Sequence, residues 1–209
     1  MYIYSMRKTL AEKKLTEQSL LKSALKLFLR DGFSNVSIAQ IAAESNLTRG
    51  AFYWHFTSKE DVLLNILELN RNKILQDNKA LFDHEHSSAH EFTQHLLRSR
   101  IENFWKNKEF REYVELTWFK LEQQFSAKSN QSKTNINDNF IIELARILEK
   151  GQMDGTIDRT YPSVQLATHA AALLNGIYRL YFVSSHLKDK ELAMNMAATF
   201  CTSLLSKEQ

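Results

Sequence analysis

The sequence predicts an all-α protein: a small N-terminal three-helix domain with a helix-turn-helix, followed by a larger helical domain. Apolar residues recur at spacings of three and four along most of the chain. Only one proline and five glycines interrupt the 209 residues, which argues against a β-sandwich with many turns. Several apolar stretches begin directly after Ser, Thr or Asp, the residues that cap helix N-termini. We predict domains of residues 1–57 and 58–209.

The first predicted helix begins at Thr16, a capping residue, and ends at Gly32. Glycine after the last turn of a helix commonly takes left-handed backbone, so we expect a positive φ at Gly32. Residues 1–14 are polar and basic without a clear period. They fit either an arm that touches phosphates or a frayed terminus. The apolar stripe of the helix consists of Leu20, Leu21, Ala24, Leu25 and Phe28.

Two short helices follow, separated by a tight turn. Ser37 caps the first of them, and Gln40 completes a capping box three residues later. Thr48 caps the second, which we predict over residues 49–56. Asn46 lies in the turn, and asparagine tolerates left-handed backbone best after glycine. This pattern is the helix-turn-helix unit, whose second helix enters the DNA major groove.

The two sides of the helix over residues 49–56 differ in a way that indicates DNA binding. At about 100° per residue, one side is mostly apolar and completes a small core: Ala51, Phe52, His55 and Phe56. The other side combines a cation, two aromatic rings and a bare backbone patch: Arg49, Gly50, Tyr53 and Trp54. Water does not favour that surface. In a major groove, arginine bonds guanine edges, the aromatic rings meet phosphates or thymine methyls, and glycine permits close approach.

Positive charge is concentrated at the same end of the chain. The whole sequence has a net charge of +3. Residues 1–59 contain nine basic and four acidic side chains, so this segment has a charge of +5 and the remainder −2. A basic N-terminal domain on a slightly acidic body is typical of a protein that attracts DNA at one end only.

The run TRGAFYWHFTSKEDVL, preceded by DGFSNVSIAQIAAESNL, closely resembles the DNA-binding domain of the TetR/AcrR family of bacterial repressors. Its TRGAFYWHF core is most similar to the branch that represses multidrug efflux pumps. The resemblance covers residues 15–67, with Asn46 where the family usually has glycine. It implies a homodimeric transcriptional repressor that binds a palindromic double-stranded DNA operator, is released by a ligand, and controls efflux or transport genes.

We predict nine DNA-contacting residues. Arg49 and Tyr53 read bases, whereas Ser37, Thr48, Trp54 and Lys59 mainly hold phosphates. Lys59 is placed to meet a phosphate at the start of the next helix. The resemblance makes His55 a phosphate contact, although the helical wheel turns it inward. The full set is Ser37, Gln40, Thr48, Arg49, Gly50, Tyr53, Trp54, His55 and Lys59.

A fourth helix is predicted from Ser58, with Asp61 in the capping-box position, towards residue 74. In the family this helix carries ligand-driven motion to the DNA-binding domain. The polar stretch over residues 83–90, DHEHSSAH, looks like a metal site. Its histidines lack cysteine partners and a matching ligand cluster elsewhere, so we predict a solvated loop and no metal.

Further helices are predicted over residues 91–106, 110–125, 140–150 and 162–184 and after Asp189, with a polar loop at 126–139 and a helix end at Gly151. Most aromatic side chains of this domain must form its core. Helical domains that bind apolar ligands use the same residue types between helices. The resemblance implies a pocket for a small apolar or aromatic ligand, for which the candidates are Trp105, Trp118, Phe119, Phe125 and Phe140.

The last two helices carry small residues along an apolar face, which allows close packing. This pattern fits core packing within one chain, whereas the resemblance implies a four-helix bundle between two subunits. We favour the dimer, because a single helix-turn-helix rarely binds DNA tightly and a dimer spans two half-sites. The predicted interface consists of Ala167, Ala170, Leu174, Ile177, Tyr181, Met196 and Phe200.

Several protein classes lack support in the sequence. It contains no GxGxxG, Walker, GxSxG or HExxH motif, so we predict no enzyme and no cofactor. No apolar run approaches the roughly 18 residues of a membrane span. The lone Cys201 and the lack of a signal peptide predict a cytoplasmic protein. Two alternatives stay open: a DNA-binding regulator without a small-molecule ligand, controlled by a protein partner or its own abundance, and a helical enzyme or interaction module.

Overall fold

The computed structural model describes residues 10–82, 88–120 and 130–205. Its secondary structure in these ranges is helical, which confirms the all-α class. None of the helices there has the length and apolar character needed to cross a membrane. The helices are α1 Leu10–Asp31, α2 Ile38–Glu44, α3 Arg49–Tyr53, α4 Lys59–Phe82, α5 Ala89–Lys106, α6 Lys108–Glu115, α7 Asn130–Asp154, α8 Ser163–Val183 and α9 Lys190–Ser203.

The described residues divide into two compact units. The N-terminal unit extends to Asn70 and the C-terminal unit begins at Arg71. Helix α4 therefore begins in the first unit and ends in the second. The division that we predicted after residue 57 lies just before α4 begins, because the capping pattern marks the start of a helix and cannot show where contacts along that helix change.

The N-terminal unit has a small core built from α1, α2, α3 and the start of α4. Phe28 and Phe33 pack with their ring centroids 5.1 Å apart, and Phe52 and Phe56 with theirs 5.9 Å apart. Helix α2 packs on both α1 and α3. The fully buried apolar side chains of this core are Leu20, Ala24, Phe28, Ile41, Phe52, Val62 and Leu63.

The predicted start of the first helix is wrong. Helix α1 is already formed at Leu10, and Thr16 lies inside it with its hydroxyl donating to the Glu12 carbonyl at 2.8 Å. The residues before Thr16 are mostly leucine, alanine, glutamate and lysine, which are strong helix formers, so the helix extends upstream. The predicted end is confirmed, because Gly32 has a φ of +81°.

The C-terminal unit has a larger core. Helix α7 packs on α8, and α5 packs on both α7 and α9. Asp189 caps α9 as predicted, accepting from the Glu191 amide at 2.8 Å, and Pro162 stands at the N-cap of α8. The fully buried side chains include Leu96, Leu97, Ile101, Phe104, Leu144, Leu148, Ala167, Ala170, Ile177 and Ala193.

Two predictions about the middle of this unit are wrong. Residues 130–139 belong to α7 and are not a loop, while residues 126–129 lie outside the described residues. Helix α6 ends at Glu115 and is followed by a π-helix over Leu116–Lys120 in place of one continuous α-helix. Polar composition alone does not break a helix when glycine and proline are absent, as they are over residues 130–139.

Gly151 does not end α7 as predicted. The helix continues to Asp154, and Gly155 takes the positive φ, at +84°. A Cβ added to Gly151 would lie 2.5 Å from the Ile157 side chain and 2.6 Å from that of Ala89. Gly151 therefore permits close packing inside the unit, whereas Gly155 provides the turn.

Candidate nucleic-acid interface

Helix α2 begins with the predicted capping box. The Ser37 hydroxyl accepts from the Gln40 amide at 3.3 Å, and the Gln40 side-chain oxygen accepts from the Ser37 amide at 2.8 Å. Two amides at the start of α2 are thereby satisfied. The box fixes the direction in which the chain enters the helix-turn-helix.

The turn between α2 and α3 has the left-handed residue that the sequence predicts. Asn46 has a φ of +55°. Its amide donates to the Ala43 carbonyl at 3.0 Å, and the Leu47 amide donates to the Ala42 carbonyl at 2.8 Å. The turn thus closes the C-terminus of α2 with good hydrogen bonds, although it lacks a glycine.

Helix α3 is shorter than predicted. Thr48 caps it by accepting from the Ala51 amide at 3.1 Å, but the helix ends at Tyr53 and not at residue 56. Ser58 caps α4 by accepting from the Asp61 amide at 3.0 Å. The cap residue needs extended backbone, so the chain must leave helical geometry before it. The Asp61 carboxylate accepts from the Thr57 amide at 2.8 Å, one residue earlier than a regular capping box requires.

The exposed side of α3 is the predicted one. Trp54 is 89% exposed and Tyr53 is 51% exposed, although both are large aromatic residues. Arg49 and Gly50 are also exposed. Phe52 is fully buried on the opposite side. The small core therefore holds α3 from one side and presents a cation, two rings and open backbone to the outside.

Arg49 and Gly50 leave this surface ready for a partner. Arg49 has no hydrogen bond or ion pair within the described ranges, so its five N–H donors are available for guanine edges or phosphates. A Cβ added to Gly50 would meet only the Thr48 hydroxyl oxygen, at 3.8 Å. Nothing within the described chain requires glycine here, and its bare backbone permits close approach of an external group.

Three further predicted contacts differ in what they can offer a phosphate. The Ser37 hydroxyl already donates to the Gln40 side-chain oxygen at 2.8 Å. The side-chain NH₂ group of Gln40 and the hydroxyl hydrogen of Thr48 remain free to donate, because the caps use only the side-chain oxygens of these two residues. The geometry therefore favours Gln40 and Thr48 over Ser37 as phosphate donors. His55 is half-buried, between the exposed and the buried side.

Lys59 has an internal role in the structure. Its ammonium donates to the Phe33 carbonyl at 2.8 Å and to the Ser34 carbonyl at 3.3 Å, and it lies 4.5 Å from the centroid of the Phe33 ring. The ammonium thereby binds carbonyls of the 3₁₀ helix Phe33–Asn35 from the first turn of α4. One of its three N–H donors remains for a phosphate.

Comparison with known proteins identifies this region. The family model described as "Bacterial regulatory proteins, tetR family" matches residues 20–66, which contain the helix-turn-helix described above. Residues 20–66 therefore match the TetR family at its DNA-binding domain. The chain is 44% identical over 68 residues to the HTH-type transcriptional regulator AcrR of Shigella flexneri, a match that covers 32% of each chain. The chain thus spans about a third of the length of this curated relative.

Solved structures extend the likeness to the C-terminal unit at the level of the fold. NalD of Pseudomonas aeruginosa, the secondary repressor of the MexAB-OprM multidrug efflux pump, matches with a TM-score of 0.76. That match covers 95% of this chain and 100% of NalD at 19% identity. The SmeT–triclosan complex matches with a TM-score of 0.70 and 22% identity, over 88% of this chain and 90% of SmeT, the efflux-pump repressor of Stenotrophomonas maltophilia. The TetR fold therefore includes both units.

The predicted ligand residues lie in two separate aromatic groups. Trp105 and Phe119 belong to a group around α5 and α8, where Trp105 packs on Tyr181 at 5.4 Å and Phe119 on Phe182 at 5.5 Å between centroids. Phe140 instead lies 6.4 Å from Phe82 in a second group. The Trp118 side chain and Phe125 lie outside the described residues.

The sequence did not predict the central residues of the first aromatic group as pocket residues. Phe104 stacks on Tyr178 at 4.6 Å and meets Phe110 at 6.1 Å between centroids, and none of these three was a predicted pocket residue. A surface cleft of about 420 Å³ is also present on the C-terminal unit, and it contains none of the predicted ligand residues. It is lined by Glu149, Gln152, Met153 and Arg159.

The predicted dimer residues lie inside the chain's own core. Ala167, Ala170, Leu174 and Ile177 are buried within one chain, which leaves them no surface for a second subunit. The remaining three, Tyr181, Met196 and Phe200, are half-buried and pack against the same core. For the four buried residues this outcome matches the core-packing alternative, because α8 packs on α7. Tyr181, Met196 and Phe200 keep part of their surface, so their contact with a second subunit stays a prediction.

The histidine-rich stretch falls mostly outside the described residues, including His84 and His86. Over the ranges that are described, no three His, Cys, Asp or Glu side chains come close enough together to hold a metal ion. Burial raises the pKa of the Cys201 thiol to about 11, which makes it a poor nucleophile at neutral pH.

Proposed function

We propose that this chain is a DNA-binding transcriptional repressor that acts in the cytoplasm and has no enzymatic activity. The observation that carries the proposal is the outward surface of α3, where Arg49, Tyr53 and Trp54 are exposed on a helix capped at its start and held by a buried phenylalanine. A rigid helix with exposed donors and aromatic rings is what major-groove reading needs. The family match of residues 20–66 supports the same function.

Each residue has a distinct proposed task. Arg49 reads a guanine edge and Tyr53 a neighbouring base. Trp54, Gln40 and Thr48 hold phosphates on either side, which fixes the register of α3 in the groove. Ser37, His55 and Lys59 act mainly by supporting this geometry, since the chain itself engages or partly buries them. Gly50 lets the DNA backbone or a base edge approach closely.

The test is selection of bound sequences from a random duplex library by the purified full chain. The expected result is a palindromic motif that the wild type enriches and that Arg49→Ala enriches with one position relaxed. Recovery of sequences without a common motif by the wild type would contradict the proposal. The same library with Arg98→Ala, which removes an exposed cation from α5, controls for the loss of one positive charge.

We further propose that two copies pair through the outer face of α8. Every fourth residue on that face is small or apolar, and several of them are exposed even though they are hydrophobic. A Cβ added to Gly176 would meet no atom within 4 Å, so this face has room for a neighbouring helix. Two operator half-sites require two recognition helices, which favours a second copy as the occupant. The face consists of Val164, Thr168, Ala172, Gly176, Leu180 and Val183.

The dimer proposal is tested by Leu180→Asp in sedimentation velocity. A charge on this face should convert a dimer to a monomer and weaken operator binding, because a buried unpaired carboxylate opposes association. Ile142→Asp is the matched control, since Ile142 is an exposed apolar residue of α7. Equal masses for both variants and the wild type would exclude this face.

Ligand release completes the proposed function. SmeT, which shares the fold, forms a complex with triclosan. For this chain we propose an aromatic ligand held by the group around Phe104, Trp105 and Tyr181, and control of efflux or transport genes. A ligand that weakens operator binding by some factor must itself bind more weakly to the operator complex by that factor. Helix α4, which belongs to both units, is the proposed connection. Titration of aromatic compounds against a labelled operator tests release directly.

A further inference from the structure

The segment between α3 and α4 is held by one carboxylate. The Asp61 Oδ2 atom accepts from the Thr57 amide at 2.8 Å and from the Thr57 hydroxyl at 3.0 Å. Its Oδ1 atom accepts from the side-chain amide of Asn65 at 3.0 Å, and that amide also donates to the Asp61 carbonyl at 2.9 Å. Three donors thus converge on one side chain, and hydrogen bonds to a carboxylate are among the stronger ones in proteins.

This network is fixed to the N-terminal core through α4. The Asp61 amide donates to the Ser58 hydroxyl at 3.0 Å, so Asp61 lies in the first turn of the helix. Val62 and Leu63, the next two residues, are fully buried. Asp61 is therefore a rigid point to which the preceding segment is tied.

Helix α3 depends on external points of this kind because it is short. It has only the five residues Arg49–Tyr53, whereas isolated helices below about 12 residues are marginal in water. Its middle is held by the fully buried Phe52. Beyond its end, Phe56 is also buried and lies directly before Thr57. The hydrogen bonds to Asp61 therefore hold the chain at the residue that follows this last core contact.

The exposed aromatic residues of the proposed DNA surface lie next to this segment. Tyr53 is the last residue of α3, Trp54 is its C-cap, and two residues separate Trp54 from Thr57. Because the Trp54 side chain is 89% exposed, packing holds little of it, and its direction depends on the backbone on either side. A binding surface must be held within about 0.5 Å of its productive geometry by supporting side chains.

We propose that Asp61 is a positioning residue for operator recognition: through Thr57 it fixes the end of α3, and with it Tyr53 and Trp54, relative to the start of α4. This inference rests on the proposed function of the α3 surface and adds a residue that acts without touching DNA. Its loss should reduce the discrimination between operator and unrelated DNA in a protein that remains folded.

A similar pair in the C-terminal unit provides a matched control. The Asp154 Oδ1 atom accepts from the Thr156 amide at 2.9 Å and from the Thr156 hydroxyl at 2.7 Å. The donor groups and residue types are those of Asp61 and Thr57, but they lie at the end of α7. Neither Asp154 nor Thr156 belongs to a surface that we propose to bind DNA, a ligand or a second copy. Substitutions in the two pairs therefore remove alike hydrogen bonds in different places.

The test measures the affinity ratio between the selected operator and a scrambled duplex, with urea unfolding to verify that each variant is folded. Asp61→Ala should reduce the ratio about tenfold, which corresponds to the loss of one or two hydrogen bonds. Asp154→Ala should leave the ratio within about twofold. Asp61→Asn is the conservative variant, and its amide oxygen can still accept from Thr57, so it should keep the ratio within about threefold of the wild type.

A second pair of variants needs no change at either aspartate. Thr57→Val keeps the shape of the side chain and removes only the hydroxyl donor, and Thr156→Val does the same in the control pair. Thr57→Val should lower the ratio about threefold and Thr156→Val should leave it unchanged. If Asp61→Ala fails to fold, Thr57→Val alone decides, and an unchanged ratio overturns the proposal. Combined with a folded Asp61→Ala, Thr57→Val should add nothing, since both remove the same hydrogen bond. A further loss in the double variant would assign the hydroxyl to DNA and overturn the role of Asp61.

The wild type and Arg49→Ala are measured in the same series. A folded Asp61→Ala protein with the ratio of the wild type would overturn the proposal. An equal loss for Asp61→Ala and Asp154→Ala would do the same, because it would show a general effect of stability. A wild type that prefers neither duplex contradicts the proposed function and the inference with it. A preference that is lost in Arg49→Ala but kept in Asp61→Ala supports the proposed function and rejects only the role of Asp61.

Discussion

The two units use the same kinds of side chain for opposite purposes. In the N-terminal unit, Tyr53 and Trp54 are exposed on a short helix whose opposite side is buried. In the C-terminal unit, Phe104 is fully buried and lies at the centre of an aromatic group. An exposed aromatic surface is useful only to an external partner, whereas a buried ring stabilises the fold itself.

The comparisons with known proteins also differ between the two units: sequence similarity marks the N-terminal unit, and likeness of fold alone extends to the C-terminal unit. The family model is confined to residues 20–66, whereas the likeness to NalD covers 95% of this chain at 19% identity. A surface that reads DNA restricts which residue stands at each position. A helical core restricts mainly volume and periodicity, and many sequences satisfy those.

The largest expected effect is a difference in the free energy of unfolding between two variants that each replace an aromatic residue by alanine. Phe104→Ala is expected to reduce the free energy of unfolding by about 3–5 kcal/mol, because it leaves a cavity in a well-packed core. Trp54→Ala should change it by less than about 0.5 kcal/mol, since the indole is 89% exposed, yet it should weaken operator binding. Urea unfolding and operator titration measure both. A stability loss for Trp54→Ala as large as that for Phe104→Ala would break the comparison.

The next effect concerns Arg49. Arg49→Ala should weaken operator binding by about 1–3 kcal/mol and relax the preference at one base position, because a base contact is lost. Competition binding against operators with single base changes measures both quantities. Arg98→Ala should leave the preference unchanged. If Arg49→Ala weakened binding equally for every sequence, Arg49 would be a phosphate contact and not a base reader.

Lys59 distinguishes support of the fold from contact with DNA. Lys59→Met should reduce the free energy of unfolding by about 1–2 kcal/mol, because two hydrogen bonds to carbonyls are lost. The slope of log affinity against log salt should stay the same. A slope reduced by about 1, with unchanged stability, would identify Lys59 as a phosphate contact.

The smallest expected effect is that of Gly50→Ala, which should stabilise the free protein but weaken operator binding. Gly50→Ala has space in the free protein and should raise the free energy of unfolding by about 0.5–1 kcal/mol, as alanine favours helix over glycine. The same methyl group should hinder close approach of DNA and weaken operator binding. Thermal unfolding and operator titration on the same sample provide both values. Tighter or unchanged operator binding would show that DNA does not approach Gly50.

Local signals predicted the N-terminal unit well. The capping box at Ser37 and the caps at Thr48 and Ser58 depend on residues within four positions, and Asn46 has the left-handed backbone that its residue type tolerates. Thr16 was misread because the same residue type caps a helix or lies inside one, depending on the helix formers before it. The end of α3 was misread because the cap of α4 determines it.

Periodicity alone could not resolve the C-terminal unit. It identifies an apolar helix face but not what covers that face, so Ala167 and Ile177 were assigned to a dimer when they pack inside the chain. Gly151 was read as a helix end, although its missing side chain makes room for Ile157, six residues later, and for Ala89 of α5, which is distant in sequence.

The most direct test of the central claim is the affinity ratio between the selected operator and a scrambled duplex of equal length, at about 150 mM salt, where non-specific binding is weak. It is measured for the wild type and for the double variant Arg49→Ala/Tyr53→Ala, with circular dichroism to confirm that both are folded. The wild type should prefer the operator by about 10³-fold or more, and the double variant should lose most of that preference. An equal ratio for the two proteins would contradict the assignment of α3 as the DNA-reading surface.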